Sequence, residues 1–227
     1  MLVGLLADIH SNLPALEAVL GELERLGAQK LLCAGDLVGY NTFPNEVMET
    51  VQRQRITCIL GNHDRGVLSG DTSWFNEEAA EAIEWTRGRL DRGNMELLRT
   101  LPRRLELELG GRTALMVHGS PDDDDEYVFP LTEATWPYGS HGARLVIMGH
   151  THVQWTARFR SLGLTVVNPG SVGQPRDLDA RAAFALLDTK DLSVALHRVE
   201  YDIDRTARAV IANGLPRWLA DRLREGR

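Results

Sequence analysis

Only two cysteines, Cys33 and Cys58, occur in the 227 residues of this chain. Both lie in short apolar runs, LLCAG and ITCIL, and read as small core residues rather than a disulfide or a thiolate metal site, and no CxxC or zinc-ribbon spacing exists. Long apolar stretches are also missing. No run approaches the roughly 20 residues of a membrane-spanning helix, and the opening MLVGLLADIH has neither the basic start nor the small-residue cleavage site of a secretory signal. A cytoplasmic protein with no membrane partner is expected. Positive charge is in deficit, 25 Lys and Arg against 32 Asp and Glu for a net charge of -7. No broad basic surface remains to hold a phosphate backbone, which disfavours long nucleic acids as partners. Internal repeats and low-complexity linkers are absent as well.

What the chain does have is the 43% hydrophobic content of a globular protein and a length that fits one domain, residues 1–227, with a small insertion. LVGLLA, KLLCAG and ITCILG read as buried strands. NLPALEAVLGELERLG and PNEVMETVQRQR carry apolar residues at helical spacing between them, with Asn12 as a helix cap. This strand–helix alternation predicts parallel strands with crossover helices. Residues 65–103 break the rhythm and read as a helical insertion of two helices, 72–90 and 94–102, the second capped by Asn94. RLELEL and RTALMVH around Gly110-Gly111 have the pattern of a hairpin. RLVIMGH, QWTARFR, LTVVN, AAFALLD and SVALHRVEY are further strands, and 203–227 reads as two C-terminal helices.

The reactive residues fall in a pattern. Of seven histidines, His10, His63, His118, His150 and His152 each sit at or just beyond the C-terminal end of a predicted strand, as do Asp8 and Asp36. Ligand sites of open α/β sheets assemble at that edge. In Asp8-Ile9-His10 and His150-Thr151-His152 the polar residues are two apart, so an extended chain points both to one side. Candidate metal ligands are therefore Asp8, His10, Asp36, Asn62, His118, His150 and His152. One ion binding four to six groups would not need them all, whereas two ions would, and a carboxylate can bridge such a pair. Asp36, flanked by Gly35 and following a strand, is the expected bridge. Imidazole and oxygen ligands without thiolate suit manganese, iron, zinc, nickel or cobalt, with manganese favoured here.

The blocks DIH, GD, GNHD, VHG (residues 117–119) and GHTH, in this order, resemble the five motif blocks of the calcineurin-like metallophosphoesterases, and the similarity continues through NPGSVGQPR, residues 168–176. The resemblance implies an α/β fold, a four-layer αββα sandwich of two packed mixed sheets. It implies that Asp8, His10, Asp36 and His152 hold one metal and that Asp36, Asn62, His118 and His150 hold the other. His63 is left free to face substrate and protonate the leaving oxygen, with Asp64 beside it to orient or charge-support the imidazole. The implied reaction is hydrolysis of a small phosphate ester or nucleotide by in-line attack of a water activated between the metals. Protein phosphatases and symmetric diadenosine tetraphosphatases of the wider superfamily carry GDxxDRG and GNHE. This chain has GDLVGY and GNHD, with Gly39 in place of the second aspartate, which points to the compact bacterial and archaeal phosphodiesterase branch.

Asn12 and Tyr40, close in sequence to the ligands, are expected substrate contacts, Asn12 equally a plain helix cap. Trp74, Phe75, Trp85, Tyr127, Phe129, Trp136 and Tyr138 could stack on a nucleobase, though packing is the expected role of most. The run Asp122 to Asp125 reads as a solvated loop. His141 and His197 fit no block. Competing readings are a non-catalytic binding scaffold on the same fold, a phosphomonoesterase or nuclease, and an amidohydrolase barrel, which the β-rich second half argues against. The expected partner is a small phosphoester, nucleotides first; a homo-oligomer stays open.

Overall fold

The computed structural model describes residues 1–227. In chain order the elements are β1 (Leu2–Leu6), α1 (Leu13–Arg25), β2 (Lys30–Cys33), α2 (Pro44–Arg53), β3 (Thr57–Cys58), α3 (Asn62–Ser69), α4 (Glu77–Arg87), α5 (Arg92–Arg99), β4 (Leu105–Leu109), β5 (Arg112–Met116), β6 (Leu145–Ile147), β7 (Trp155–Phe159), β8 (Leu164–Asn168), β9 (Ala182–Asp188), β10 (Ser193–Val199), α6 (Ile203–Ala212) and α7 (Arg217–Glu225). The strands form two five-stranded mixed sheets, ordered β10-β9-β1-β2-β3 and β4-β5-β6-β8-β7. In the first, β1, β2 and β3 are parallel and β9 returns antiparallel to β1. In the second, β4 and β5 form the expected hairpin, and β5, β6 and β8 run parallel.

The two sheets pack face to face. The period of two along β1 sends Val3 and Leu5 into the layer between the sheets, where they meet Met116, Leu145, Ile147 and Val167. Leu6 points the other way, into the core that α1 and α2 make with the first sheet through Leu16, Val19, Val47 and Met48. The outer face of the second sheet is closed differently. Val128, Trp136 and Ala143 from the connection between β5 and β6 cover Leu115, Val146 and Val166, so a loop does there what helices do on the first sheet.

The insertion differs in two ways from the sequence expectation. It holds three helices, because GNHD starts α3 at Asn62; a run with two glycines and no apolar stripe gives little helical signal. Asn94 does not cap α5. The helix begins at Arg92 after Asp91, and Asn94 Nδ2 instead donates to Asn45 Oδ1 at 3.0 Å. Nor does the insertion keep a core to itself: Val67, Ile83 and Leu98 join the core under the first sheet. Its Ala79 and Ala82 also pack with Ala207, Val210, Leu219 and Ala220 of α6 and α7 around Tyr40. The C-terminal helices thus reach the edge where β1 and β2 end. No helix is long and apolar enough to cross a membrane.

Candidate metal centre

Five parallel strands of the two sheets, β1, β2, β3, β5 and β6, end on one edge, and the residues just past those ends are the seven expected ligands. The backbone there is strained. Asp8, His10, Ser11, Asp36, Tyr40, His150 and His152 all hold φ between +48° and +69°, a left-handed conformation that costs a side-chain-bearing residue on the order of 1 kcal/mol and gathers at functional sites. It turns successive polar side chains back toward the rim instead of letting them alternate. Close approach adds to the strain: a Cβ on Gly61 would lie 2.0 Å from Asp36 Oδ1, so only glycine lets β3 feed Asn62 and His63 beside that carboxylate.

The side chains converge. Ligating atoms of Asp8, His10, Asp36 and His152 lie within 4.8 Å of one another, all buried. His10 Nδ1 donates to Val38 O (3.2 Å) and His152 Nδ1 to Gln174 O (2.6 Å), which leaves each Nε2 as a lone pair. These two Nε2 atoms face each other at 3.1 Å. Burial holds both imidazoles well below the usual histidine range, so neither is protonated at neutral pH to bridge the contact. Two lone pairs at this distance with two carboxylates beside them form a socket for a cation, and a histidine whose other nitrogen is tied to a carbonyl is the usual form of a metal ligand.

His118 is built the same way. Its Nδ1 donates to Ala34 O at 2.7 Å, and its Nε2 lies 3.0 Å from Asn62 Oδ1 and 3.4 Å from Asp36 Oδ2. Burial pushes its pKa down, but Asp36 beside it, with Asp8, outweighs this and lifts it to about 9. Asp36 itself is held well below the carboxylate range: burial opposes ionisation, and the charge of His118 hydrogen-bonded to it overcomes this. Its Oδ1 accepts the His63 backbone N–H at 2.8 Å, and Oδ2 lies between His118 and His10 Nε2, the latter at 3.5 Å. Burial, with Asp36 nearby, raises Asp8 to about 7; its carboxylate accepts the His150 N–H at 3.1 and 3.2 Å. His150 Nε2 donates to Asp125 O at 3.1 Å, leaving Nδ1 as its free lone pair.

His63 carries no ligand contact. Its ring lies 4.3 Å from Tyr40, 4.7 Å from His10 and 5.0 Å from Phe75 between ring centroids, and it lines a pocket of about 330 Å³ with Tyr40, Asn62 and His150. Burial lowers its pKa to about 4, and its Nδ1 is buried without a partner.

Two expectations are corrected here. Asp64 does not support His63. Its Oδ1 accepts the Val38 N–H (3.1 Å) and its Oδ2 the Gly61 N–H (3.0 Å), because the third position of α3 turns its side chain back on the helix start. Asn12 is no substrate contact. It is fully buried and caps α1 by accepting from Ala15 N and Thr206 Oγ1, while its amide donates to Gly173 O and Tyr201 Oη. Tyr40 does reach the pocket. Its hydroxyl accepts from Arg176 at 3.1 Å, and the guanidinium carbons of Arg176 and Arg222 lie 5.6 and 5.7 Å from its ring. Among the aromatics, Phe75, Trp85, Trp136 and Tyr138 join the cores, while Trp74, Tyr127 and Phe129 are exposed. Nor is the acidic run wholly solvated, since Asp125 pairs with Arg65 and its carbonyl meets His150.

Sequence reasoning missed the residues that hold the ligands. Asn168 Nδ2 donates to Gly149 O (2.6 Å) and Thr151 Oγ1 (3.0 Å), fixing the turn that carries His150 and His152. Ser171 Oγ donates to Asp8 O at 2.7 Å, and Gln174 supplies the carbonyl for His152. All three lie in NPGSVGQPR, whose similarity was visible in the sequence while its task was not.

Comparison with known proteins agrees with this geometry. A family model described as the calcineurin-like phosphoesterase superfamily domain matches residues 1–192. An uncharacterised protein of Methanocaldococcus jannaschii is 35% identical over 243 residues, covering 100% of this chain and 98% of that protein. A metallophosphoesterase from Sphaerobacter thermophilus superposes with a TM-score of 0.87 at 32% identity, covering 100% of this chain and 99% of the other. A hypothetical protein from Pyrococcus horikoshii does so with a TM-score of 0.89 at 25% identity, with 100% and 98% covered. With its five motif blocks meeting in a buried Asp/His socket on two packed mixed sheets, this chain belongs to the calcineurin-like phosphoesterase superfamily, metal-dependent hydrolases of phosphoester bonds.

Proposed function

We propose that this protein is a cytoplasmic phosphodiesterase with a two-metal centre, manganese its preferred ion, acting on a small phosphodiester. The observation that carries the reading is the position of Asp36 Oδ2, 3.5 Å from His10 Nε2 and 3.4 Å from His118 Nε2. One carboxylate oxygen is thereby common to two ligand sets, Asp8, His10 and His152 on one side and Asn62, His118 and His150 on the other. The donors fit: all are nitrogen or oxygen, the inward Nε2 atoms of His10 and His152 are lone pairs, and His118 offers its Nε2 once it gives up its proton. When bound, the ions supply Lewis acidity to the phosphoryl oxygens and an activated water.

The chain's own residues do the rest. His63 lines the pocket beside both sets and is neutral before substrate arrives. The negative charge of a phosphate next to it raises its proton affinity, so that it takes up a proton and passes it to the leaving oxygen. Phe75 and Tyr40 hold the ring in place, and Arg176, hydrogen-bonded to the Tyr40 hydroxyl, fixes Tyr40 in turn. A pocket of about 330 Å³ suits a small ester and leaves no room for a duplex.

The test is hydrolysis of bis(p-nitrophenyl) phosphate by chelator-treated protein resupplied with manganese, cobalt, nickel or zinc. Turnover that depends on added metal is expected. No turnover with any of the four would leave a binding scaffold as the better account.

A further inference from the structure

The pocket beside His63 has a second half that the metal centre does not explain. Its outer wall is formed by Trp74 and Phe75, in the turn between α3 and α4, and by Tyr127, in the loop after His118. Trp74 is 92% exposed, yet it does not sit on a loose segment. Asp71 Oδ1 accepts the Ser73 N–H (3.0 Å), the Phe75 N–H donates to Thr72 O (3.0 Å), and Asn76 caps α4 by accepting from Ala79 N (2.9 Å). A fixed backbone therefore presents an uncovered indole at the mouth of the site. Tyr127, 54% exposed, lies with its ring 4.0 Å from that of His150 and tilted by 34°. That contact holds an aromatic face directly beside the ligand set.

We propose that this wall is a nucleobase-stacking subsite and that the substrates are nucleotide esters, a refinement that rests on the phosphoesterase reading above. The chemistry on the page favours a base over other apolar groups. The aromatic faces are flat, while most of the remaining lining is polar, with the Arg65–Asp125 ion pair, Ser69 and Asp71 able to meet the edge of a heterocycle. An acyl chain would gain no polar contact from those groups and would cover them from water. Stacking on an aromatic face tolerates any base and is worth about 1–3 kcal/mol by alanine substitution, a change of roughly 5- to 150-fold in affinity. The insertion thereby acquires a function: it carries the indole to the mouth of the centre.

The experiment compares adenosine 5′-monophosphate with ribose 5-phosphate, which differ only by the base. Equilibrium dialysis on the manganese-loaded chain, with the nucleotide checked afterwards to be intact, reads the affinity, and tryptophan fluorescence provides a second readout. The wild type should bind the nucleotide at least fivefold more tightly than the sugar phosphate and lose tryptophan emission as it does so. Trp74→Ala, at a fully exposed position that leaves the fold intact, should remove both the preference and the quenching, and Tyr127→Ala should weaken the preference. Equal binding of the two ligands by the wild type overturns the subsite, as does a preference that survives Trp74→Ala. If Trp74→Ala changes the sedimentation of the protein while the two ligands bind equally, the wall is a protein contact and the inference falls. The two proposals fail separately: absent hydrolysis of bis(p-nitrophenyl) phosphate with an intact base preference would discard the esterase and keep the subsite.

Discussion

Gly39 and His63 are packed so closely that a Cβ on Gly39 would lie 2.7 Å from His63 Nδ1, and Gly39 holds a φ of +96°. Gly39 thus serves as the floor under the free imidazole, whose Nδ1 is buried without a partner. Gly39→Ala should displace the ring as well as strain the backbone. A loss of about 1–2 kcal/mol in stability, the cost of the left-handed conformation, is expected in denaturant unfolding. Turnover of the folded, metal-loaded variant should fall while its metal content stays at the wild-type level.

Removing the imidazole isolates its chemistry. His63→Ala should bind metal as the wild type does, since His63 contributes no inward-facing ligand atom, and lose about a hundredfold in turnover, the scale of a lost general acid. Steady-state kinetics alongside metal analysis checks this, and unchanged turnover removes His63 from the mechanism.

Asp64 should behave oppositely. Its two oxygens accept the Val38 and Gly61 N–H groups, so Asp64→Ala strands two buried donors and should cost about 1–3 kcal/mol of stability. The metal-loaded protein that remains folded should keep turnover within a few-fold of wild type. A hundredfold loss without destabilisation would restore Asp64 to the chemistry.

The fold was most legible where apolar periodicity was strong. Val3, Leu5 and Leu6 of β1, or Leu16 and Val19 of α1, announce their elements because burial itself imposes the period. The meeting of the expected ligands was legible because strand ends of two sheets share an edge, so position along the chain predicts position in space. Asn62 and Asp64 were less so. The start of α3 is set by contacts with Asp36 and Val38, and the partner of a carboxylate at the third helical position is a backbone donor that carries no sequence mark. Asn12 shows the same limit, since its partners Gly173, Tyr201 and Thr206 lie more than 160 residues away. The left-handed backbone at His150 and His152 has no signature in GHTH either, because the surrounding hydrogen bonds of Asn168 impose it.

The metal-free protein should respond to pH in a defined direction. Asp8 is raised to about 7 and His118 to about 9. A raised pKa stabilises the fold below the ordinary value of the group and loses that contribution as pH rises through the folded value. The melting temperature of the metal-free chain should therefore fall between pH 7 and pH 9, as His118 gives up its proton among unpaired lone pairs. Both protons must also leave before a cation enters. Metal uptake should release about two protons at pH 6 and close to none above about pH 10, a unit beyond the His118 value, as read by calorimetry in buffers of different ionisation enthalpy, and apparent affinity should rise over the same interval.

The proposed sharing of Asp36 between two ions is tested most directly by counting them. Equilibrium dialysis of the chelator-treated protein against manganese, with the metal measured by mass spectrometry, should give two ions per chain for the wild type and fewer than one for Asp36→Ala, since both ligand sets lose a member. A wild-type stoichiometry of one, or a variant that still binds two, would contradict the two-metal centre.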